Sequence, residues 1–414
     1  MENKIKLHNR LVVIGGGAAG FFCGINAARL NPSLEVMIVE KSNKVLSKVK
    51  VSGGGRCNVT HACFEQDQMI RRYPRGGAFL KKAFHQFFTT DTIQWFEQRG
   101  VKLKTEPDGR MFPVSNSSQT IIDCLLQDIT KYGVQVLMNK EIIKIVPHNS
   151  IFQLIFANGE IIQSDYVCIA SGGYPKEVLF EWIKELGHTI EYPVPSLFTF
   201  NLPEHSIRDL MGVVADNVIV KIKDTKLKEQ GPVLITHWGL SGPAILRLSA
   251  WGARYLSSVN WNFCILVHWI AAYNENSLRD RFTELRLECA GQKINARNSF
   301  GLPARLWEYL VQQSGINSDM RWADLPSKGQ QLLIRNLCSY ECVVKGKTTF
   351  KEEFVTAGGI QLNEVDANTM MSKKIKNLFF AGEVMDVDGI TGGFNFQHAW
   401  TSGYIAAKTI AGIG

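Results

Sequence analysis

A run of glycines near the start of the chain restricts its fold more than any other feature. The apolar run Leu11–Ile14 leads into the string GGGAAG of residues 15–20, after which apolar residues recur at helical spacing. Leu34–Val39 is a second apolar run with β-branched residues, and Glu40 follows it. Strand, tight turn, helix and strand in this order predict one β-α-β unit over residues 11–40.

The spacing of these glycines indicates what the unit binds. Gly15, Gly17 and Gly20 form the pattern Gly-x-Gly-x-x-Gly, so backbone amides and the positive end of the helix can face a pyrophosphate without an intervening side chain. Glu40 lies 20 residues after Gly20 and is placed to accept hydrogen bonds from both hydroxyls of an adenosine ribose. The pattern predicts dinucleotide binding, and the alternative is a glycine-rich turn with a structural role.

Two later strand ends favour FAD over NAD as this dinucleotide. The string IASGG of residues 169–173 closes one strand with two glycines, and LFFAGE of residues 378–383 closes another with a glycine and an acid. In flavoproteins of the glutathione-reductase type, such an acid contacts the ribityl chain and the next helix points its N-terminus at the flavin. A helix after the string GGFN of residues 392–395 would stabilise the negative charge of a reduced flavin. The alternative is that Gly392 and Gly393 only form a turn.

A further glycine-rich string points to a family. Residues 52–58, SGGGRCN, combine three adjacent glycines with arginine, cysteine and asparagine. The other strings are GRMFP (109–113), THWGLSGP (236–243), TAGG (356–359), GEVMDVDG (382–389) and GGFNFQHAW (392–400). Taken together, they make the chain closely resemble the BaiN/YhiN-type flavoproteins. The motifs run from Gly15 to Gly403, so the resemblance covers nearly the whole chain.

The resemblance implies a specific set of FAD contacts. The matching positions are Gly15, Ala18, Ala19, Glu40, Lys41, Lys48, Arg56, Cys57, Asn58, Glu383, Asp388, Phe394 and Asn395. The glycine turns and neighbouring strands add the other predicted FAD-binding residues, Gly17, Gly20, Ser52, Gly53, Gly54, Ile142, Ala170, Ser171, Gly172, Gly173, Gly382, Gly392 and Gly393. The chain departs from the family at Leu46-Ser47, where many members carry Gly-Lys or Gly-Arg, and at His61, where asparagine is frequent.

Three side chains are candidates for proton transfer. His237 could donate the proton that accompanies hydride transfer, and Cys57 beside a flavin could protonate a substrate carbon or form an adduct. Free cysteines are usually small buried hydrophobes, so a structural role is the favoured interpretation of Cys57. His237 and His398 lie in glycine- or aromatic-rich strings, where packing is the commoner role. His237 and Cys57 are the predicted catalytic residues.

Composition and charge limit the class of protein. A hydrophobic content of 45% and a charged content of 20% are typical of a globular protein, and 414 residues predict two or three domains. Nine cysteines without a Cys-x-x-Cys pair argue against a disulfide framework and a zinc ribbon, so we predict a reducing compartment and no metal site. No signal peptide or transmembrane run is present, so a cytoplasmic location is expected. The net charge of +8 favours anionic partners such as a dinucleotide or RNA.

Periodicity divides the chain into regions. Alternating apolar residues in Val218–Ile222 and Trp261–Trp269 indicate a half-buried antiparallel sheet, whereas the flanking regions alternate helix and strand. The predicted fold class is α/β, with a glutathione-reductase-type Rossmann domain that binds FAD, an inserted antiparallel β-barrel and a small helical subdomain. The predicted domains are residues 1–191 and 351–414 for FAD binding, 192–273 and 338–350 for the barrel, and 274–337 for the helical subdomain.

The sequence lacks a second Gly-x-Gly-x-x-Gly in its central part and a redox Cys-x-x-Cys pair, so a disulfide reductase is disfavoured. We expect a flavin-dependent oxidoreductase in which NAD(P)H docks transiently and hydride passes through the flavin to an organic substrate. The family resemblance implies reduction of activated carbon–carbon double bonds in steroid-like enones, oxidation of small amino ketones, or reduction of uridine to dihydrouridine in ribosomal RNA. The expected partner is therefore a small molecule or ribosomal RNA, and no membrane. A non-catalytic FAD-binding protein is the remaining alternative.

Overall fold

The computed structural model describes residues 9–148, 151–296, 298–348 and 355–412. The chain divides into two compact units. One, here called the outer unit, comprises Met1–Ser196 and Lys351–Gly414, and the other, the inserted unit, comprises Leu197–Phe350. The sequence also predicts a strand over residues 354–360; its first residue, Phe354, and the predicted boundary at Lys351 lie outside the described residues.

The first segment of the outer unit alternates strands and helices. Its strands are β1 (Arg10–Ile14), β2 (Glu35–Val39), β3 (Thr60–His61), β4 (Leu103–Thr105), β5 (Arg110–Pro113), β6 (Gln135–Leu137), β7 (Ile142–His148), β8 (Ile151–Phe156), β9 (Ile161–Ser164), β10 (Tyr166–Ile169) and β11 (Ile190–Ser196). Its helices are α1 (Ala18–Leu30), α2 (Ser47–Gly55), α3 (Gln66–Ile70), α4 (Gly77–Ala83), α5 (Thr89–Glu97), α6 (Ser118–Lys131) and α7 (Glu181–Lys184).

The inserted unit and the return of the chain complete the set of elements. The strands of the inserted unit are β12 (Thr199–Asn201), β13 (Val214–Ile222), β14 (Lys228–Ile235), β15 (Gly239–Ser241), β16 (Asn262–His268), β17 (Tyr340–Lys345) and β18 (Lys347–Thr348). Its helices are α8 (Pro243–Ser258), α9 (Glu275–Glu288), α10 (Ala304–Gln313) and α11 (Ser327–Cys338). The outer unit resumes with β19 (Val355–Ile360), β20 (Leu378–Phe380) and α12 (Phe394–Ile410).

A five-stranded parallel sheet organises the outer unit. Its order is β20-β10-β1-β2-β6, and every neighbouring pair is parallel. The strands β1, β2, β10 and β20 are buried along nearly their whole length, which explains why they read as continuous apolar runs. Glycines and acids follow their carboxyl ends at a single edge of the sheet, where open α/β sheets bind ligands. The predicted α/β Rossmann fold is confirmed.

Helices α1 and α12 pack directly against each other in the outer unit. A Cβ at Gly403 would lie 2.7 Å from the Ala19 carbonyl oxygen, so glycine at this position allows the two backbones to approach closely. Farther along the same interface the ring centroids of Phe22 and Trp400 are 5.2 Å apart. Because α12 comes from the end of the chain, this contact fixes the C-terminal segment on the β1-α1 unit.

The inserted unit contains a seven-stranded antiparallel sheet, as the alternating pattern predicts. Its order is β17-β16-β13-β14-β15-β12-β18, and one hydrophobic core joins the buried face of the sheet to the helices α9, α10 and α11. The predicted closure into a barrel is not confirmed, since the described residues form an open sheet whose two edge strands are not hydrogen-bonded to each other. Within the described part of the chain, no helix has the length and apolar character needed to cross a bilayer.

Candidate active site

The turn after β1 has the geometry that its glycines predict. Gly15 has a φ of +117°, and a Cβ there would lie 2.3 Å from the Ala170 carbonyl oxygen. A Cβ at Gly20 would lie 2.0 Å from the Gly15 carbonyl oxygen, so the first turn of α1 touches the loop that precedes it. Both positions therefore require glycine. A Cβ at Gly17, the residue before α1, would meet only open space, which leaves this side of the turn accessible.

Glu40 lies at the carboxyl end of β2, beside the same turn. Its Oε2 accepts a hydrogen bond from the Gly16 amide at 2.8 Å, and its Oε1 accepts one from the Ser42 amide at 2.9 Å. Each carboxylate oxygen can accept a further bond, so the group can still receive ribose hydroxyls. Helix α1 has neither a side-chain cap nor an acidic residue in its first turn, so its N-terminal amides face the turn with their positive charge uncompensated.

Glu383 follows β20 at the same edge of the parallel sheet. Its Oε2 pairs with Lys48 Nζ at 2.6 Å, and its Oε1 accepts a hydrogen bond from the Thr356 amide at 2.8 Å. A Cβ at Gly173 would lie 2.6 Å from Thr356 Oγ1 and 2.8 Å from Glu383 Oε1. The strand ends thus bring together predicted site residues from three distant parts of the chain.

The Ser52–Asn58 string interrupts α2. Ser52 is extended with a ψ of 146°, and Gly53 and Gly54 have positive φ angles of 59° and 68°. A Cβ at Gly54 would meet open space. Arg56 pairs with Glu106 at 2.5 Å, and its guanidinium carbon lies 4.0 Å from the centroid of the Phe112 ring. The loop is therefore anchored by arginine on one side and open at its glycines on the other.

The N-terminus of α12 rests on the chain around Asn58. Gly393, directly before the helix, has a φ of +92°, and a Cβ there would lie 2.6 Å from the Thr60 carbonyl oxygen. Asn58 bridges the two segments, since its Nδ2 donates to the Thr60 carbonyl and its Oδ1 accepts from the Gly393 amide, each at 2.9 Å. The Tyr73 hydroxyl donates to the Phe394 carbonyl at 2.7 Å. Helix α12 has no side-chain cap and no acid in its first turn.

Two predicted contacts of the α12 region are already bonded within the protein. Asp388 is fully buried and forms a bidentate ion pair with Arg75, and the Ser196 hydroxyl donates to its Oδ2 at 2.9 Å. Asn395 accepts from the Gly389 amide at 2.8 Å and donates to the Gly389 carbonyl at 2.9 Å. These two side chains hold the 388–395 loop in place, and their direct contact with FAD stays a prediction.

The remaining predicted contacts lie around this frame. Ala18 and Ala19 form the first turn of α1, and a Cβ at Gly382 would lie 2.8 Å from the Ala19 Cβ. Lys41 Nζ is 5.5 Å from the centroid of the Tyr174 ring. Buried residues of this group are Ala170, after β10, and Ile142, in β7. Ser171, Gly172 and Gly392 lie in the loops that follow β10 and precede α12.

The three candidates for proton transfer differ in their surroundings. Cys57 is fully buried with a φ of +59°, and burial raises the pKa of its thiol to about 12, partly opposed by a hydrogen bond with Ser52. Burial also lowers the pKa of His398 to about 4, and its Nε2 donates to the Gly382 carbonyl at 3.1 Å. Both side chains are therefore neutral at physiological pH. His237 is exposed on the inserted unit, where Arg208 Nε donates to its carbonyl at 2.7 Å.

Two residues at this site were not among the predicted contacts. The Thr356 hydroxyl is buried without a hydrogen-bond partner in the described structure and lies next to Glu383. His61 stacks on Phe394 with ring centroids 4.7 Å apart, and its Nδ1 donates to the Gly392 carbonyl at 3.0 Å. The sequence contained a signal for each residue: Thr356 begins the TAGG string, and His61 stands where asparagine is frequent in the family. Neither signal indicated which group the residue contacts.

The residues at this sheet edge fit FAD. Two helices, α1 and α12, begin at glycines without a side-chain cap or a first-turn acid, so their amides can serve a pyrophosphate and an electron-rich ring. Gly17, Gly54 and Gly172 each border open space where a Cβ would stand, and the Thr356 hydroxyl still lacks a partner. The nine cysteines, all within the described residues, are unpaired.

Comparisons with solved structures show the fold. The chain aligns with an E. coli quinol fumarate reductase at a TM-score of 0.51 and 16% identity, over 98% of this chain and 70% of that chain. It aligns with the 3-ketosteroid-Δ4-(5α)-dehydrogenase of Rhodococcus jostii RHA1 at a TM-score of 0.51 and 12% identity, over 98% of both chains. At these identities the similarity concerns the architecture alone.

Comparisons with curated relatives extend over the whole chain. The chain is 30% identical to the ribosomal RNA dihydrouridine synthase of Escherichia coli K12, over 96% of this chain and 97% of that protein. It is 25% identical to a 3-dehydro-bile acid Δ4,6-reductase of Clostridium scindens, over 97% of this chain and 99% of that protein. The family model described as the HI0933-like protein Rossmann domain matches residues 9–409. The chain therefore belongs to the HI0933-like family and is a flavin-dependent oxidoreductase.

Proposed function

We propose that this protein reduces the C5=C6 double bond of a uridine in ribosomal RNA to give dihydrouridine, with NAD(P)H as the electron donor. The observation that carries the proposal is the 30% identity to the ribosomal RNA dihydrouridine synthase of E. coli over nearly the full length of both chains. The bond is activated because it is conjugated with the C4 carbonyl, so C6 accepts hydride and C5 accepts a proton. One NAD(P)H and one proton balance one reduced uridine.

The residues of the outer unit would bind and orient the cofactor. The Gly15–Gly20 turn and the N-terminus of α1 would hold the pyrophosphate, while Glu40 would hold the ribose. The Lys48–Glu383 pair would contact the ribityl chain, and the start of α12 would face the ring. FAD held there would supply two-electron redox chemistry between the nicotinamide and the substrate.

The proton that C5 accepts must come from an acidic side chain that the substrate can reach. The buried Cys57 thiol is a weak acid because its pKa is raised to about 12, which disfavours it as the donor. His237 is exposed and remains the proposed donor. His237→Ala should leave reduction of the flavin by the nicotinamide nearly intact and slow its reoxidation by the substrate. Because the central part of the sequence lacks a second Gly-x-Gly-x-x-Gly, donor and substrate would take turns at one face, which predicts ping-pong kinetics.

Charge supports an RNA substrate. The inserted unit, Leu197–Phe350, carries 18 Lys and Arg residues against 13 Asp and Glu, so most of the net charge of +8 lies in this part of the chain. A basic surface increases the rate and affinity of association with the phosphate backbone. We propose that the inserted unit provides the RNA-binding surface.

The test is a comparison of dihydrouridine in ribosomal RNA with and without the gene. Ribosomal RNA from the deletion strain, incubated with the purified yellow holoenzyme and NADPH or NADH, should gain a single nucleoside heavier by two hydrogens in mass spectrometry. Heat-inactivated holoenzyme is the control. An unchanged nucleoside profile, in cells and in the reaction, would sink the proposal.

A second candidate is reduction of a steroid-like enone. It is favoured by the 25% identity to the 3-dehydro-bile acid Δ4,6-reductase over nearly the full length of both chains. Both candidates use the same hydride and proton transfers to a double bond conjugated with a carbonyl group. A competition assay distinguishes the two candidates. If the second candidate is right, the holoenzyme would oxidise NAD(P)H when a dienone steroid is supplied and would leave ribosomal RNA unchanged.

A further inference from the structure

A polar cleft of about 360 Å³ lies in the outer unit, away from the glycine turn. It is bounded by α5 and by the C-terminal parts of α1, α6 and α12. Arg29 reaches it from the last turn of α1, eleven residues after Ala18. Eleven residues of helix span about 17 Å, so the cleft is separate from the pyrophosphate turn. Its lining residues are Arg29, Gln86, Phe87, Asp91, Gln94, Trp95, Gln98, Arg99, Lys131, Tyr132 and Tyr404.

Two cations in this cleft have no carboxylate partner among the described residues. Arg29 donates from Nη2 to Asn26 Oδ1 at 3.3 Å, and its Nε is buried without a hydrogen-bond partner. Lys131 is exposed and makes only a cation–π contact, with its Nζ 5.2 Å from the centroid of the Tyr132 ring. Asp91 also lines the cleft but forms no ion pair with either cation, and its Oδ2 accepts from the Phe88 amide at the start of α5. The cleft therefore offers positive charge to an anion.

The third cation of the cleft, Arg99, is already paired within the protein. Arg99 pairs with Asp128 at 2.5 Å, and its guanidinium carbon lies 3.5 Å from the centroid of the Trp95 ring. The Trp95 indole donates to Asn26 Oδ1 at 3.0 Å, the same oxygen that accepts from Arg29. These contacts position the wall of the cleft before any ligand enters, an arrangement that lowers the entropic cost of binding.

Neutral amides and aromatic rings complete the lining. Gln94 in α5 and Gln98, the residue directly after this helix, are exposed, lie four residues apart, and make no side-chain hydrogen bond to the described residues. Each amide offers both a donor and an acceptor, as the edges of nucleobases require. Tyr132 and Tyr404 are partly exposed, and Tyr404 stacks on Phe87 with centroids 4.4 Å apart.

We propose that this cleft is a second nucleotide-binding site, in which Lys131 and Arg29 bind a phosphate and the glutamine amides with the tyrosine rings bind the base. A phosphate would pair with the two cations that lack a carboxylate partner, and a base would use the donors, the acceptors and the aromatic rings together. A simple carboxylate would leave the amides and rings unused. The inference is independent of the uridine reduction proposed above, because the site is distinct from the flavin turn.

The experiment uses the FAD-loaded protein, so that the dinucleotide site is occupied. Binding of 5′-UMP, uridine and inorganic phosphate is measured by isothermal titration calorimetry, and binding of 5′-fluorescein-labelled hexauridylate by fluorescence anisotropy. We expect UMP to bind more tightly than either fragment. Lys131→Glu should weaken UMP binding by about fivefold or more, and Gln98→Ala by about twofold. The matched control is Lys328→Glu, which reverses another exposed charge, on α11 of the inserted unit.

The same measurements distinguish a nucleotide of an RNA strand from a free nucleotide. If hexauridylate binds much more tightly than UMP and Lys131→Glu removes this advantage, the occupant is a nucleotide of an RNA strand. If both bind equally, the occupant is a free nucleotide. Equal weakening by Lys131→Glu and Lys328→Glu would indicate a non-specific charge effect and overturn the site, as would the absence of UMP binding at millimolar concentration. These binding measurements do not depend on the dihydrouridine assay, so the nucleotide site and the proposed uridine reduction are tested separately.

Discussion

The predicted FAD site has two ends, each with glycines and an acidic residue, and the acidic residue has different partners at the two ends. At the α1 end, the Gly15–Gly20 turn and Glu40 present open backbone and a carboxylate that binds only main-chain amides. At the α12 end, residues 388–395, the polar side chains are already bonded to the protein, as Asp388 is to Arg75. An acid beside a glycine-containing loop therefore keeps acceptor capacity for a ligand at one end, as Glu40 does, and is a structural anchor at the other, as Asp388 is.

The physical reason for this difference is burial. A charged group with no exposed surface, such as Asp388, must be paired before any ligand arrives, because an isolated buried charge is too costly. Glu40 is only partly buried and keeps acceptor capacity for a ligand. The comparison predicts that substitutions at the α12 end change the stability of the FAD-free protein, whereas substitutions at the α1 end change FAD affinity.

The largest effect is expected for Asp388→Ala. This substitution removes a fully buried carboxylate from Arg75, whose side chain is 12% exposed, and should lower the free energy of unfolding by about 3–5 kcal/mol. The measurement is urea denaturation of the FAD-free protein. Asp67→Ala is the control, because Asp67 pairs with Lys81 at an exposed site and its loss should leave the urea midpoint unchanged. Equal midpoints for the two variants would mean that Asp388 is not a structural anchor.

The second test compares two glycines with positive φ. Gly393→Ala places a Cβ 2.6 Å from the Thr60 carbonyl oxygen at a φ of +92°, which should destabilise the FAD-free protein by about 2–3 kcal/mol. Gly172→Ala has a φ of +76° and meets open space, so only the backbone term of about 1 kcal/mol applies. Urea denaturation of both variants measures the difference. A larger loss for Gly172→Ala would contradict the packing described at Thr60.

Much of the fold could be predicted because its strands carry local signals. The strands β1, β2, β10 and β20 are buried apolar runs, and the turn at Gly15 requires glycine. Helix α8 was missed, although its buried residues Ile245, Leu248 and Leu256 recur at helical spacing. Strand β14 was also missed, because it contains Gly231 and Pro232 and is defined by its pairing with β13.

The candidate site shows the same limit. Glycine spacing and strand-end acids pointed to Glu40 and Glu383, which lie at the same edge of the sheet, after β2 and β20. The sequence could not show that Asp388 pairs with Arg75, because the two residues are 313 positions apart and neither carries a local signal of the other. It also could not show that Thr356 places an unpartnered hydroxyl beside Glu383, since that contact depends on how β19 packs.

At the α1 end, Glu40→Gln should weaken FAD binding by about tenfold, because each hydrogen bond to a charged acceptor contributes about 1.5–3 kcal/mol and the amide retains one acceptor oxygen. The measurement is the FAD dissociation constant from flavin fluorescence. The control is Glu35→Gln at the start of β2, where the acid pairs with Arg10 away from the turn. A variant that retains full FAD affinity would remove Glu40 from the site.

The smallest effect concerns the pH dependence of stability at the α12 end. Burial lowers the pKa of His398 from 6.5 to about 4, so the unfolded chain binds a proton near pH 6.5 that the folded chain does not accept until about pH 4. The contribution of His398 to stability is therefore complete above pH 6.5 and is lost as the pH falls from 6.5 to 4. Between pH 7 and pH 6 the expected loss is about 0.7 kcal/mol.

The measurement is urea denaturation at these two pH values. His398→Gln should remove this loss of unfolding free energy between pH 7 and pH 6, whereas His85→Gln, at an exposed position, should retain it. An unchanged slope in His398→Gln would mean that the folded protein holds this histidine in its charged form, contrary to the neutral ring that donates to the Gly382 carbonyl.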